Sequence, residues 1–296
     1  MARILLTVPP LPEARAVLAG HDVVEGPPGA DSAADALVCA ATQPVDAGAI
    51  AAMERLRVIS VAGAGLDAVD ERAAAARDIA VFASGEPLVE TTADLAFGLI
   101  IAAARQFAAA EARLREGRWR GWSYVEPGFG VDVHGARLGL IGFGRIARAV
   151  ARRADAFAIQ TRHHTRFDTG EAGWTASLDE LLPWAEIVSL HVPLTDQTRG
   201  MIDARRIAAM RRGAVLVNTA RGAVVDEAAL VDALASGHLF AAGLDVYEDE
   251  PNVSPALLAA PRTILLPHIG SATLAARTAM LVAAAEKAVR FLAAGR

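Results

Sequence analysis

The fold is decided by the segment LGLIGFGRIARAVARRADAFAI, residues 138–159. A short apolar run is followed by Gly142 and Gly144, then by a helical pattern, then by a second apolar run. This is the order of a strand, a tight turn, a helix and a second strand. Such a turn aims backbone N–H groups and the positive end of a helix dipole at one point, which suits a pyrophosphate. The segment therefore predicts a dinucleotide-binding unit, with Ala147 at the third glycine position.

The next stretch, QTRHHTRFD at residues 160–168, raises the question of which dinucleotide is bound. An Asp or Glu usually stands about 20 residues after the glycines, where it accepts hydrogen bonds from the adenosine ribose. Thr165 and Arg166 stand there instead. Arg166 can pair with a phosphate and Thr165 can add a hydroxyl, so we expect NADP, with NADPH preferred and NAD as the alternative. The other interpretation is a solvated loop from which the ribose acid is missing.

Composition limits the classes of function. A chain of 296 residues is long enough for two domains, and a net charge of −5 with dispersed basic residues argues against nucleic acid as a partner. The single Cys39 excludes an intrachain disulfide and suits a reducing compartment, so we expect a cytoplasmic protein. The apolar run LAFGLIIAAA ends at Arg105 and is too short for a membrane span. Small molecules are the expected partners, and the sequence suggests no metal site.

Apolar runs typical of strands alternate with helical stretches along the whole chain, which predicts the α/β class with parallel sheets. Such runs lie on both sides of a long Ala-rich helix predicted at about residues 91–116. We therefore expect two Rossmann-like doubly wound parallel-sheet domains with the active site in the cleft between them. Residues 1–95 plus 271–296 form one discontinuous domain, because the last helix is expected to pack back on the first sheet, and residues 96–270 form the other.

Three further segments place polar residues at predicted strand ends, where open α/β sheets bind ligands. They are NTARGAVVDEAAL, AAGLDVYEDEP and LLPHIGSAT. Together with HGARLGLIGFGRIARAVARRA and WAEIVSLHVPLTDQTRGMI, they closely resemble the D-2-hydroxyacid dehydrogenase family from about residue 57 to the end. The segment EGRWRGW, with Trp119 and Trp122, is most similar to the glyoxylate/hydroxypyruvate reductase branch, although aromatic core packing would explain these residues nearly as well.

The resemblance implies three catalytic residues. Arg221 would hold the carboxylate and carbonyl of a 2-keto acid, for which a planar guanidinium is well suited. His268 would donate a proton to the carbonyl oxygen as hydride arrives. Glu250 would orient the imidazole and favour its protonated form.

The resemblance also implies binding residues. The discontinuous domain would be the substrate-binding domain, with backbone N–H donors in the loop SVAGAGLDAVD; its substrate contacts would be Ala64, Gly65 and Ser271, beside Arg221 and His268. Residues 96–270 would be the dinucleotide-binding domain, whose cofactor contacts would be Gly142, Gly144, Arg145, Ile146, Thr165, Arg166, Pro193, Thr198, Thr219, Asp245 and Gly270. A homodimer is expected through this domain, with the helix at about residues 91–116 at the interface. Leu95, Leu99 and Ile100 on that helix would serve either the interface or an intrachain core.

The sequence thus predicts an NADP-dependent oxidoreductase that reduces small 2-keto acids, glyoxylate and hydroxypyruvate, to D-2-hydroxy acids. Another D-2-hydroxyacid dehydrogenase or a phosphite dehydrogenase is the alternative within enzymes. A non-enzymatic NAD(P)-sensing protein related to corepressors is the alternative from another class, for which we would expect a peptide-binding groove and disordered regulatory tails.

Overall fold

The computed structural model describes residues 1–9, 11–124 and 130–295. The chain divides into two compact α/β units, one formed by Met1–Thr91 with Ser271–Arg296 and the other by Thr92–Gly270. Each unit contains one sheet in which every strand pair is parallel. The prediction of two parallel α/β sheets is confirmed.

The first unit contains a five-stranded sheet with the order β2-β1-β3-β4-β5. Its strands are β1 (Arg3–Leu6), β2 (Asp22–Glu25), β3 (Ala36–Ala40), β4 (Val58–Ala62) and β5 (Ala80–Ala83). Its helices are α1 (Pro12–Val17), α2 (Ala47–Ala52), α3 (Glu71–Ala75) and, from the end of the chain, α11 (Leu274–Ala294). Residues on both faces of β3 and β4 are buried, which explains why their sequences are apolar at every position except Ser60.

Helix α11 covers one face of this sheet. Its residues Leu281, Ala284, Ala285 and Ala288 are buried in a core shared with β1, β3 and β4. The hydroxyl of Ser60 on β4 donates to the carbonyl of Ala284 at 2.8 Å. The last helix therefore belongs to the fold of the first unit, although it is far from that unit in sequence.

The second unit contains a seven-stranded sheet with the order β12-β11-β10-β9-β6-β7-β8. Its strands are β6 (Arg137–Ile141), β7 (Gln160–His164), β8 (Trp174–Thr175), β9 (Ile187–Leu190), β10 (Ala214–Asn218), β11 (Leu239–Leu244) and β12 (Thr263–Leu265). Its later helices are α6 (Arg145–Asp155), α7 (Leu178–Trp184), α8 (Ala204–Ala209), α9 (Glu227–Ala235) and α10 (Pro255–Leu258). The strand order reverses between β6 and β9, and ligands of doubly wound sheets bind outside the carboxyl ends of the strands at such a reversal.

The long helix expected at about residues 91–116 is two helices, α4 (Val89–Ala104) and α5 (Phe107–Arg115). Between them Gln106 has a left-handed backbone with φ of 54°, which a continuous helix does not allow. The sequence prediction was wrong here because the break contains neither glycine nor proline. On α4, Leu99 and Ile100 are buried within their own chain.

Among the described residues, one helical stretch, Glu86–Ala104, is long and apolar enough by length and composition to cross a membrane. This helical stretch begins before the apolar run LAFGLIIAAA, which on its own is shorter than a membrane span. Half of its most apolar window is buried inside the protein, as in an ordinary core helix.

The two tryptophans of the connection after α5 are exposed. Trp119 is 58% exposed and Trp122 is 76% exposed, and Trp122 packs edge-on against the exposed Tyr124. Core packing within this chain therefore does not account for them. Residues 125–129 of the same predicted connection lie outside the described part of the chain.

Candidate active site

The predicted cofactor and catalytic residues of the second unit follow the carboxyl ends of six parallel strands, which lie at one edge of the sheet. Gly142 and Gly144 follow β6, Thr165 and Arg166 follow β7, Pro193 and Thr198 follow β9, Thr219 and Arg221 follow β10, Asp245 and Glu250 follow β11, and His268 and Gly270 follow β12. In the first unit, Ala64 and Gly65 follow β4, and Ser271 precedes α11.

The turn after β6 needs glycine at its first position. Gly142 has a φ of 89°, and a Cβ built there would lie 2.5 Å from the carbonyl oxygen of His191, which follows β9. Gly144 is the N-cap of α6, and a Cβ at this position would meet nothing within 4 Å. The turn is therefore tight against the neighbouring strand and open in front of the helix N-terminus, where Arg145 and Ile146 begin α6. Ala147 is fully buried, as close helix packing requires.

The loop after β7 places a cation where a ribose carboxylate is usual. Arg166 is exposed, and its guanidinium donates to the side-chain oxygen of Gln197. The carboxylate of Asp168 accepts the N–H of Gly170 at 2.8 Å within its own loop. The hydroxyl of Thr165 donates to the Phe167 carbonyl at 2.6 Å and accepts from the Trp174 indole at 3.2 Å. Arg166 therefore supplies the dominant charge, whereas the Thr165 hydroxyl is already engaged within the loop.

The turn after β9 is closed by its own side chain, because the hydroxyl of Thr198 donates to the carbonyl of Pro193 at 2.6 Å. The same hydroxyl accepts the N–H of Thr195 at 2.8 Å. Pro193 and Thr198 thus form one compact turn at the edge of the sheet where the strand order reverses.

The turn that carries Arg221 is held by Asn218, a residue that the sequence interpretation did not single out. The Asn218 side chain is buried, accepts the N–H of Ala220 at 2.9 Å and donates to the carbonyl of Arg221 at 2.9 Å. The guanidinium of Arg221 donates to the Ala220 carbonyl at 2.7 Å. A Cβ at Gly222 would overlap the backbone of Tyr247, so two loops cross there without space for a side chain. The sequence signal for Asn218 was an amide at the end of an apolar strand.

His268 and Glu250 form a hydrogen-bonded pair, with Nδ1 of the imidazole 2.6 Å from Oε2 of the carboxylate. The histidine side chain is 34% exposed and the glutamate side chain 29% exposed. The other carboxylate oxygen accepts the N–H of Tyr247 at 3.1 Å. Burial raises the pKa of Glu250, but the hydrogen bonds from His268 and Tyr247 and the charges of His268 and Arg221 outweigh burial, so its pKa lies below the ordinary value.

Tyr247 connects the two loops that carry this pair, and it too was missed from the sequence. Its hydroxyl donates to the Leu266 carbonyl at 2.9 Å, and its backbone N–H binds Glu250. Burial and the nearby Asp245 raise the pKa of its phenol to about 12, so it remains a hydrogen-bond donor at neutral pH.

The backbone around His268 is shaped by Asp245. His268 has a left-handed φ of 52°, and its N–H donates to the Asp245 carbonyl at 3.0 Å. The two carboxylate oxygens of Asp245 accept the N–H groups of Ile269 and Gly270, each at 2.7 Å. Burial raises the pKa of Asp245, although both backbone hydrogen bonds and His268 oppose this. The carbonyl of Gly270 in turn accepts the hydroxyl of Thr92 at 3.1 Å.

These features fit a nicotinamide dinucleotide. The glycine turn opens in front of the N-terminus of α6, and the cation Arg166 follows the next strand. Among the described residues, the buried hydroxyl of Thr219 has no hydrogen-bond partner, which leaves it for a ligand at the strand end. Within the same described part of the chain, no group of three or more His, Cys, Asp or Glu side chains is placed to hold a metal ion.

Comparisons with known proteins show which family the chain belongs to. The model of the D-isomer specific 2-hydroxyacid dehydrogenase NAD-binding domain matches residues 97–270. The chain is 40% identical over 264 residues to a glyoxylate reductase of Korarchaeum cryptofilum, covering 87% of this chain and 79% of the relative. It is 39% identical over 245 residues to a D-3-phosphoglycerate dehydrogenase of Mycobacterium tuberculosis, covering 81% of this chain and 46% of the relative.

A solved structure of a glyoxylate/hydroxypyruvate reductase also matches along the whole chain. An NADPH-dependent glyoxylate/hydroxypyruvate reductase of Sinorhizobium meliloti, solved with NADP and malonate, superposes with a TM-score of 0.89 at 32% identity. The match covers 100% of this chain and 95% of that chain. The chain belongs to the D-2-hydroxyacid dehydrogenase family, as the sequence resemblance indicated. It is an NAD(P)-dependent oxidoreductase of that family.

Proposed function

We propose that this protein reduces glyoxylate to the achiral 2-hydroxy acid glycolate and hydroxypyruvate to a D-2-hydroxy acid, D-glycerate, and that it prefers NADPH. The observation that carries the proposal is the His268–Glu250 pair, at 2.6 Å, on strand-end loops of a dinucleotide-binding sheet, with the charge of Arg221 acting on the same carboxylate. A histidine held by a carboxylate can act as the acid, and a guanidinium beside them can bind the carboxylate of a 2-keto acid.

In this proposal the three side chains divide the work. Arg221 binds the substrate carboxylate and polarises the carbonyl. Glu250 holds the imidazole through Nδ1, so that Nε2 of His268 donates the proton to the carbonyl oxygen, and solvent then returns a proton to His268. Bound NADPH supplies the hydride that the carbonyl carbon accepts. Ala64, Gly65 and Ser271 are the further substrate contacts that we propose.

The preference for NADPH rests on Arg166. A 2′-phosphate would gain a charge-assisted hydrogen bond from its guanidinium, whereas an unphosphorylated ribose would find no carboxylate among Thr165, Arg166 and Phe167. The remaining cofactor contacts that we propose are the glycine turn with Arg145 and Ile146, the turn from Pro193 to Thr198, and Thr219, Asp245 and Gly270.

We also propose a cytoplasmic homodimer. Phe107 and Leu114 on α5 are 55% and 60% exposed, and the exposed Trp119 and Trp122 follow directly. A second copy of the chain would cover these apolar side chains. The free Cys39 is buried, and burial raises the pKa of its thiol to about 12, so the thiol stays protonated.

A reduction screen tests this function. Glyoxylate, hydroxypyruvate, pyruvate, phenylpyruvate and 3-phosphohydroxypyruvate are each assayed with NADPH and with NADH. We expect the highest kcat/KM for glyoxylate or hydroxypyruvate with NADPH. A higher kcat/KM for phenylpyruvate or 3-phosphohydroxypyruvate would contradict the proposed substrate, and phosphite-dependent reduction of NADP would establish phosphite as the alternative.

A further inference from the structure

An aromatic stack inside the second unit is not explained by the catalytic roles. The ring of Phe143, between the two glycines of the turn, lies on the imidazole of His163 with centroids 3.7 Å apart and planes 12° apart. His163 is buried on β7, whereas Phe143 is partly exposed. The stack therefore joins the turn after β6 to the strand that leads into the loop of Thr165 and Arg166.

Two further connections run between the same segments. Nε2 of His163 is 2.9 Å from the hydroxyl of Thr169, within the loop at residues 165–173. Arg148 on α6 donates to the carbonyl of Phe143 at 2.6 Å and lies 4.9 Å from the centre of its ring. The same guanidinium forms an ion pair with Glu171 of the loop. The ring and the backbone of Phe143 are thus each connected to the loop.

We propose that the Phe143–His163 stack is a positioning element that holds the glycine turn and the Arg166 loop as one preformed binding surface for the dinucleotide. The inference rests on the proposed function, because it assumes that both segments contact the cofactor. The turn presents N–H groups to the pyrophosphate, and the loop presents a cation to the adenosine end. A ligand that bridges two segments binds more tightly when their relative position is fixed beforehand, because less conformational entropy is lost on binding.

The proposed role predicts different effects on cofactor binding and on the chemical step. Neither ring is assigned to the reacting atoms, so loss of the stack should weaken cofactor binding while kcat at saturating NADPH and the KM for the keto acid stay the same. A purely structural role would instead lower the melting temperature without a selective effect on the cofactor.

Four variants test the proposal by NADPH fluorescence titration, steady-state kinetics and thermal unfolding. His163→Leu replaces the buried imidazole with an apolar side chain that has no flat ring. Phe143→Leu likewise removes the flat ring of the partly exposed partner. We expect each to raise the Kd for NADPH by about five- to tenfold. His163→Phe keeps a stack without the Thr169 hydrogen bond and should stay within about threefold of the unmodified protein. Phe157→Leu is the control, because it removes another aromatic contact in the same unit, that of Phe157 with Phe97 at 4.9 Å, and should leave the Kd unchanged.

The outcomes are distinct. An unchanged Kd in both His163→Leu and Phe143→Leu would overturn the positioning role, as would a fall in kcat at saturating NADPH or an equal effect of Phe157→Leu. A fifth protein that combines His163→Leu with Phe143→Leu adds a further test: additive effects on the Kd would also overturn the proposal, because two partners of one stack must be coupled. Failure of the unmodified protein to bind either nicotinamide cofactor would instead refute the proposed function itself.

Discussion

Oε2 of Glu250 lies 2.6 Å from Nδ1 of His268, and Oε1 of Glu250 accepts the backbone N–H of Tyr247. The carboxylate is thus fixed on one side by the main chain and presents its second oxygen to the imidazole. This contact fixes which nitrogen of His268 is left for a substrate, since Nδ1 is occupied. The orientation of the proposed acid therefore depends on two strand-end loops at once.

Removal of the acid should lower kcat more than it affects binding. We expect His268→Ala to lower kcat by about 10²- to 10⁴-fold, as is usual when a general acid is lost. Arg221→Ala should raise KM for the keto acid and lower kcat together, because in the proposed mechanism one guanidinium both binds the substrate carboxylate and polarises the carbonyl. Glu248→Gln, an exposed change in the same turn as Glu250, is the control and should be near normal in steady-state kinetics. A His268→Ala enzyme with normal kcat would exclude His268 as the acid.

The cofactor preference should depend on Arg166. We expect Arg166→Ala to weaken NADPH selectively by about 1.5–3 kcal/mol, the range for a hydrogen bond to a charged group, and to leave NADH nearly unchanged. Thr165→Asp should improve NADH by offering the ribose a carboxylate. Parallel KM measurements for both cofactors decide the point, and equal efficiency of NADPH and NADH in the unmodified protein would rule the preference out.

The crossing of two loops at Gly222 should tolerate no side chain. Gly222→Ala would force a Cβ into the Tyr247 backbone. We therefore expect the free energy of unfolding to fall by at least about 2 kcal/mol. We also expect the variant to lose activity. Gly98→Ala is the matched control, because Gly98 is exposed on α4 and a Cβ there meets nothing within 4 Å. That change should stabilise the helix by about 0.5–1 kcal/mol. Urea unfolding of both variants would show whether the crossing, and not glycine replacement in general, is responsible.

Stability should fall in mild acid because of histidines that are held neutral. Burial lowers the pKa of His191 from the ordinary 6.5 to about 4, and burial also lowers the pKa of His163. Below pH 6.5 the histidine of the unfolded chain binds a proton, whereas the buried histidine of the folded chain stays neutral. The stability that the neutral histidine contributes is therefore complete above that pH and is lost as the pH falls toward 4. For His191 alone, a fall from pH 6.5 to 5.5 should cost on the order of 1 kcal/mol.

Thermal unfolding at several pH values measures this loss. His191→Gln keeps an amide near Ser189, whose hydroxyl lies 2.9 Å from the imidazole, but cannot titrate. We expect this variant to lose less of its melting temperature between neutral and mildly acidic pH than the unmodified protein does. An identical loss in both proteins would remove His191 from the explanation.

The exposed apolar side chains of α5 should be covered in a dimer. Light scattering should give about twice the chain mass of 30.8 kDa at micromolar concentration. Leu114→Glu should shift the mass toward that of the monomer, because Leu114 is 60% exposed in the single chain. Val23→Glu is the control, since Val23 is also exposed but lies on β2 of the other unit. A monomer mass for the unmodified protein would refute the dimer.

The sequence was sufficient wherever one local pattern determines the structure. The glycine turn and the strand ends of the second unit could be located from the sequence, because Gly142 and Gly144 reflect backbone requirements that are visible in one segment. The break at Gln106 could not, since no residue that commonly ends a helix stands there. The short strands β2 and β8 are not evident from the sequence either, because their few residues lack the apolar character of central strands.

The supporting residues of the site were missed for a different reason. Asn218 and Tyr247 act through hydrogen bonds to neighbouring loops, and Tyr247 reaches Leu266, which is 19 positions away. A sequence without known pairing of its strands does not show which loops meet. The turn of Arg221, in contrast, was recognisable because its residues are consecutive.

The carboxylate of Asp245 binds two consecutive backbone N–H groups, and any amino acid except proline offers such a group. In a mutant library made to change substrate range, Ile269 could therefore be randomised while the path of the main chain next to His268 is preserved. Asp245 itself should be held constant, because no other side chain offers two oxygens at the same reach. Because the path of the main chain does not depend on the side chain at position 269, the loop is a practical starting point for directed evolution.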